Sequence, residues 1–263
     1  HIHGMAAAFR PIWDEIPDFG TLGLPDAVAD IGHFPYGLVL LTGPTGAGKS
    51  TTLCSILERI NVRRHCHIIT LEDPIEFVFS RKKALVHQRE IGTHVASFAG
   101  GLRAALRENP DIILVGEMRD KETISAAITA AETGHLVLST LHCGSAAQAL
   151  DRIIDIFPEH QQAQVRVQLS DCLRAVVTQK LLPRIGSTTR VPAVEILRVN
   201  PAVANLIRER KLHMLTSQMQ TGKEEGMIPF DDSLLRLVKE RVIAKETALG
   251  AATDRKTLQG KLE

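Results

Sequence analysis

The stretch "GPTGAGKS", Gly43 to Ser50, constrains this chain more than any other. It matches G-x-x-x-x-G-K-[ST], with Gly43, Gly48, Lys49 and Ser50 at the fixed positions. Average composition would give such a match in about one chain of this length in a hundred, and the flanks make it more specific. Before it runs "GLVLLTG", a short apolar segment suited to a strand buried on both faces. After it, Leu53, Ile56, Leu57 and Ile60 recur at i, i+3, i+4, i+7, the stripe of an amphipathic helix. Strand, glycine-rich turn and helix start together make a phosphate cradle. Glycines let backbone N–H groups turn inward, and the helix N-terminus adds positive partial charge. In this pattern Lys49 reaches the β- and γ-phosphates and Ser50 offers its hydroxyl to Mg²⁺. Thr45, Gly46 and Thr51 complete the cofactor-binding set.

Strands and helices go on alternating downstream. "HIITLED", "IILVGE" and "HLVLSTLH" read as strands. Between them, "SFAGGLRAALREN" reads as a helix that stops before Pro110. "KETISAAITAAETG" puts Ile124, Ala127, Ile128 and Ala131 on one face and ends at Gly134. Ser145 and Gln148 form a capping-box pattern for "AAQALDRIIDIF". The order predicts an α/β fold with a mostly parallel sheet covered on both faces. Farther on, "QAQVRVQLSDCLRAVVTQKLL" reads as one helix, with Leu169, Cys172, Leu173, Val176 and Val177 at helical spacing. "VPAVEIL" is strand-like. Asn200-Pro201 then opens a run of amphipathic helices, "DDSLLRLVKERVI" being the clearest.

The expected organisation is residues 1–30 as a tag scar ("HIHGM") plus a linker or the trailing edge of another domain, 31–197 as the core and 198–263 as a C-terminal helical domain. His1 and His3 sit at a free terminus without a rigid frame for a metal, and Trp13 stands alone among prolines. A formal charge of +1 and basic runs poor in aromatics speak against nucleic acid as a partner. The four cysteines, Cys54, Cys66, Cys143 and Cys172, fit neither a zinc ribbon nor a disulfide framework and suggest a reducing, cytoplasmic setting.

A phosphate loop alone does not choose between a kinase, a GTPase, a transporter ATPase and a motor, so the acidic residues carry weight. "LEDPIEF" offers Glu72, Asp73 and Glu76 after one strand, and "VGEMRD" offers Glu117 and Asp120 after another. Ligands gather at the carboxyl ends of strands in open α/β sheets. Hydrolysis needs a group to orient water and compensation for charge on the phosphoryl oxygens. Glu72 and Glu117 are best placed for this, while Glu76 and Asp120 suit a surface salt bridge equally well. "DIILVGEMRD" is unusual, because Gly116 stands where a metal-binding aspartate is common. His135 and His142 bracket one strand, and either suits a γ-phosphate contact, His142 better by its place at the carboxyl end. Arg103, Arg107 and Arg119 suit phosphate contacts or helix-face charges alike.

Taken together, "GPTGAGKSTT", "TLEDPIEF", "RENPDIILVGEMRD" and "TAAETGHLVLSTLH" resemble the Walker A, Asp-box, atypical Walker B and His-box of the secretion-superfamily ATPases. Weaker likeness continues through "ALDRIIDIFP", "NLIRE" and "GMIPFDDSL". The likeness is greatest to the type IV pilus retraction ATPases, of the PilT and PilU kind. Assembly relatives usually carry a four-cysteine zinc motif that this sequence lacks. The resemblance implies a RecA-like core and a homo-hexameric ATPase driving pilus retraction and twitching motility at the cytoplasmic face of the bacterial inner membrane. Assembly, secretion or DNA uptake, or modulation of a partner motor, are the alternatives. It further implies ATP and Mg²⁺ as cofactors. The partners it implies are the cytoplasmic domain of the pilus platform protein and a paralogous retraction ATPase. By motif, Glu72 is similar to the water-activating residue, Glu117 to the Walker B glutamate that reaches Mg²⁺ through water, and His135 and His142 to the His-box. The family's N-terminal PAS-like domain has at most a trailing edge here. In the segment linked with retraction, Ala204 takes the place of an arginine.

Overall fold

A computed structural model describes Gly4, Met5, Ala7 and residues 15–263. The expectations for His1, His3 and Trp13 lie outside the described residues. The apolar run before the phosphate loop forms β1 (Gly37–Thr42), with every residue buried. The other strands are β2 (His67–Glu72), β3 (Leu85–Glu90), β4 (Ile112–Val115), β5 (Leu136–Leu141), β6 (Leu173–Pro183) and β7 (Arg190–Arg198). They form one sheet in the order β3-β2-β4-β5-β1-β6-β7. Every neighbouring pair is parallel except β6 and β7. β1 to β6 therefore present their carboxyl ends along a single edge.

The helices are α1 (Asp26–Ala29), α2 (Lys49–Arg63), α3 (Phe98–Ala105), α4 (Lys121–Glu132), α5 (Ala146–Asp155), α6 (Glu159–Cys172), α7 (Pro201–Arg208), α8 (Leu215–Thr221), α9 (Phe230–Lys239), α10 (Lys245–Ala251) and α11 (Arg255–Leu262). Strand residues alternate between two cores, as the period-two pleat requires. Val39, Leu41, Ile68, Ile112, Leu114 and Leu138 pack with Leu53, Ile56 and Leu57 of α2. Phe19, Val28 and Ile31, from the stretch before β1, bury against that same face. Leu40, Ile69, Leu71, Ile113, Val115 and Val137 face the other way, onto α3 to α6 and onward to Val203, Ile207 and Leu215 of α7 and α8. A third cluster joins Leu182, Val191 and Ala193 to Phe230, Leu234 and Leu237 of α9 and to Ala248 and Leu258.

Two elements depart from the sequence reading. The segment expected as one long helix divides at Cys172, where α6 ends and β6 begins with no intervening loop. Leu173 is already extended, at φ −68° and ψ 134°. Val176, Val177 and Thr178 favour the strand through their β-branching. A strand buried on both faces, however, shows an unbroken apolar run that periodicity cannot tell from a buried helix. The other is β3, a polar edge strand ("LVHQRE") that is only half-buried and so carries little apolar signal. The register between β1 and β6 also slips by one residue after Leu38, so that Arg174 is passed over. The Arg174 guanidinium lies 4.8 Å from the Tyr36 ring centroid and its Nε donates to the Tyr36 carbonyl at 3.2 Å.

Candidate active site

The edge made by the strand carboxyl ends opens into a cleft of about 570 Å³. Thr45, Gly46, Gly48, Lys49, Ser50 and Thr51 line one side, while Glu72, Asp73, Glu76, Gly116, Glu117, Arg119 and His142 line the other. Gly43 sits behind the loop. A Cβ there would lie 2.2 Å from the Gln179 carbonyl oxygen of β6, and the φ of +146° is one that L side chains rarely adopt. Lys49 is buried, and its Nζ donates to the carbonyls of Gly43 at 2.9 Å and Pro44 at 3.1 Å. Burial pushes its ammonium below the usual lysine value, while the carboxylates of Glu117 and Glu76 pull it back upward.

Glu72 ends β2 and is only 6% exposed. Its Oε1 accepts from the Thr70 hydroxyl at 2.6 Å and from the Gln88 amide of β3 at 3.0 Å. Burial raises its carboxyl above the usual glutamate value, and these two donors, with the Glu76 N–H, oppose that only in part. Glu117 follows β4 and keeps its side chain 14% exposed. Its Oε2 pairs with Arg119 Nε at 2.6 Å and stands 3.7 Å from His142 Nε2. Burial, then the charge of Lys49, hold His142 below the usual imidazole value, so the ring is neutral at pH 7.

Gly116 explains the absent aspartate. Its N–H donates to the Leu71 carbonyl at 2.8 Å. A Cβ at 116 would lie 3.0 Å from that oxygen and 3.5 Å from Glu72 Cα. A larger residue here would press on the very backbone that carries Glu72. Hydroxyls from β5 hold the turn from the other side, with Ser139 donating to the Val115 carbonyl at 2.7 Å and Thr140 to that of Gly116 at 2.6 Å.

Not every candidate reaches the cleft. His135 precedes β5, at the opposite end of the strand from His142. Its Nδ1 contacts the Ala130 carbonyl at 3.0 Å where α4 ends, so within this chain it closes a helix and touches no phosphate site. A six-residue strand separates the two histidines by about 20 Å. Within this chain the strand therefore keeps His135 out of the cleft that His142 lines. Asp120 is the N-cap of α4, accepting from the Thr123 N–H and hydroxyl, each at 2.8 Å. Arg103 lies in a separate groove between α3 and α4, and Arg107 does not line the cleft. Thr70, Gln88 and Gln179, all supporting the site, escaped the sequence reading. Gln88 and Gln179 stand on the two strands that it did not find. Thr70 sits two residues before Glu72 on the same face of β2, and that period-two spacing was the one available signal.

A family model described as type II/IV secretion system protein matches residues 23–248. The chain belongs to that family. Among curated secretion-family relatives, it is 51% identical over 245 residues to a twitching motility protein of Neisseria gonorrhoeae, a match covering 93% of this chain and 66% of the relative. It is 49% identical over 245 residues to the type IV pilus retraction ATPase PilT of Pseudomonas aeruginosa, covering 93% of this chain and 71% of that protein. The crystal structure of the pilus retraction motor PilT with bound ADP superposes with a TM-score of 0.89 at 50% identity, covering 95% of this chain and 71% of that one. The chain thus spans roughly two-thirds of the length of these secretion-family proteins. No helix among its described residues is long and apolar enough to cross a membrane.

Proposed function

We propose that this chain is the ATP-hydrolysing core of a hexameric motor for type IV pilus retraction. The observation that carries the reading is the convergence of Lys49, Ser50, Glu72, Glu117 and His142 on one cleft. Its support is a chain about half identical to a twitching motility protein and a pilus retraction ATPase. The reaction is ATP plus water to ADP plus phosphate. The loop N–H groups and the N-terminus of α2 hold the phosphates. Lys49 leaves the Gly43 and Pro44 carbonyls for phosphate oxygens. Glu72 orients the attacking water and takes its proton, and a carboxyl raised by burial suits that work. Neutral His142 contacts the γ-phosphate and registers its loss.

The Ser50 hydroxyl and the Glu117 carboxylate share the cleft, and with water they form an all-oxygen donor set that fits Mg²⁺. When bound, that ion offsets charge on the phosphate oxygens. Residues 31–197 then form the ATPase core and 198–263 the helical region. The motor works at the cytoplasmic face of the inner membrane, against the cytoplasmic domain of the pilus platform protein and beside a paralogous retraction ATPase.

Two experiments test this. In the first, steady-state phosphate release by the full-length protein is compared with Glu72→Ala and Glu117→Ala; turnover that neither carboxylate controls defeats the enzymatic reading. In the second, the gene is deleted in its own host. Cells that keep pili but lose twitching support retraction, whereas bald cells place the motor in assembly.

A further inference from the structure

Gln179 of β6 stands against the back of the phosphate loop and is 3% exposed. Its Nε2 donates to the Ala47 carbonyl at 2.7 Å, and its Oε1 accepts from the Thr52 hydroxyl at 3.0 Å. A carbonyl oxygen can only accept, so Ala47 fixes which end of the carboxamide is the nitrogen. We propose that Gln179 is a positioning residue for nucleotide binding, whose carboxamide aims the Gly48 N–H into the cleft. The inference rests on the nucleotide-binding reading above and deepens it.

The geometry follows from the planar trans peptide. The C=O of one residue and the N–H of the next point to opposite sides of the chain. With the Ala47 carbonyl tied to β6, the Gly48 N–H turns away from β6 and toward the cleft. Gly46 and Gly48 carry φ of +75° and +81°, and such turns set backbone N–H groups around a concave anion site. The loop is also pressed onto this side chain, since a Cβ at Gly48 would lie 3.0 Å from Gln179 Nε2. Thr52 lies in the first turn of α2, so one carboxamide spans the loop and its helix, on either side of Lys49 and Ser50. The brace is uncharged. A carboxylate in its place would face the Ala47 carbonyl with no proton to donate and would oppose the phosphates. A cationic side chain could donate to the Ala47 carbonyl but has no lone pair to accept from the Thr52 hydroxyl.

The test uses the full chain, with ADP affinity measured by calorimetry and the Gly48 amide followed by NMR. Gln179→Leu keeps the bulk and removes both hydrogen bonds; ADP affinity is expected to fall about tenfold or more, as for a buried carbonyl left unpaired. Gln179→Glu is expected to lose about a hundredfold. ADP should move the Gly48 amide resonance in the parent chain and leave it in place in Gln179→Leu, a signature that loss of packing alone does not produce. Thr52→Val keeps the Ala47 bond but frees Oε1, and about a threefold loss is expected. A folded Gln179→Leu that binds ADP within twofold of the parent overturns the inference. Should that variant not fold, Thr52→Val decides, and unchanged affinity there overturns it equally. A parent chain that binds no ADP defeats the nucleotide reading and the inference together, an outcome distinct from the other two.

Discussion

Glu72 and Glu117 stand at the ends of adjacent parallel strands and line the same cleft, yet they are held differently. Among the described residues, Glu72 is buried and accepts from neutral donors, the Thr70 hydroxyl, the Gln88 amide and the Glu76 N–H, with the Glu76 carboxylate also acting on it. Glu117 is more exposed and faces an arginine and a histidine. A carboxylate kept from water without a cation holds its proton more tightly, which is what a base requires. Glu117 sits instead against the exposed Arg119 guanidinium, a partner that it can exchange for another cation. The resemblance alone favoured Glu72 as the base; the difference in burial and partners gives that assignment a physical reason.

The largest expected effect is that of Glu72→Gln, which keeps the shape and removes the proposed base. Its kcat should fall by about 10³-fold while ADP binding stays within about threefold, by single-turnover kinetics and calorimetry. A comparable loss in Glu117→Gln, with Glu72→Gln nearly active, would reverse the two roles. Glu117→Gln should instead lose about ten- to a hundredfold, with a raised Mg²⁺ requirement that excess metal partly offsets. Next comes the pH profile of kcat/KM. Its acidic limb should lie above the usual glutamate value near 4.5, because burial raises Glu72. Gln88→Leu removes a donor to the charged form and should move that limb higher still; a limb that stays put would detach Gln88 from the base.

The smallest effect concerns stability. Glu72 has a folded value above its unfolded one, so the fold binds more protons than the unfolded chain between the two values. Stability is therefore lost as pH rises through that window, and at pH 7 the ionised group is a burden on the fold. Glu72→Gln should melt about 2–4 °C higher at pH 7 and no higher at pH 4, by thermal denaturation.

The sequence displayed the parts of the fold where local chemistry and burial agree. β1, the loop and α2 were legible because an apolar run, fixed glycines and a helical stripe follow one another without ambiguity. The ends of β2, β4 and β5 were legible because a polar residue closes each apolar run. β6 was not, since two apolar faces erase the period that tells strand from helix. β3 was not, since an edge strand needs little apolar surface. Those two strands carry Gln179 and Gln88, so what was hidden in the site is its support, while most groups lining the cleft stood in plain motifs. His135 shows the converse, because closeness to a motif in sequence does not say which end of a strand a residue occupies.

The slip at Arg174 has a consequence for those supports. Side chains alternate along a strand, so one passed-over residue sets the parity of all that follow. As built, Ala175 and Val177 face α2 and Gln179 falls in step with them, whereas Lys180 turns the other way, over Phe230 of α9 at 4.6 Å. Without the slip, Val39 would pair with Arg174, and Thr178 would come into the place that Gln179 holds against Ala47. The chemical identity of what stands behind the phosphate loop is thus chosen at the far end of the strand, by whether the count there is odd or even.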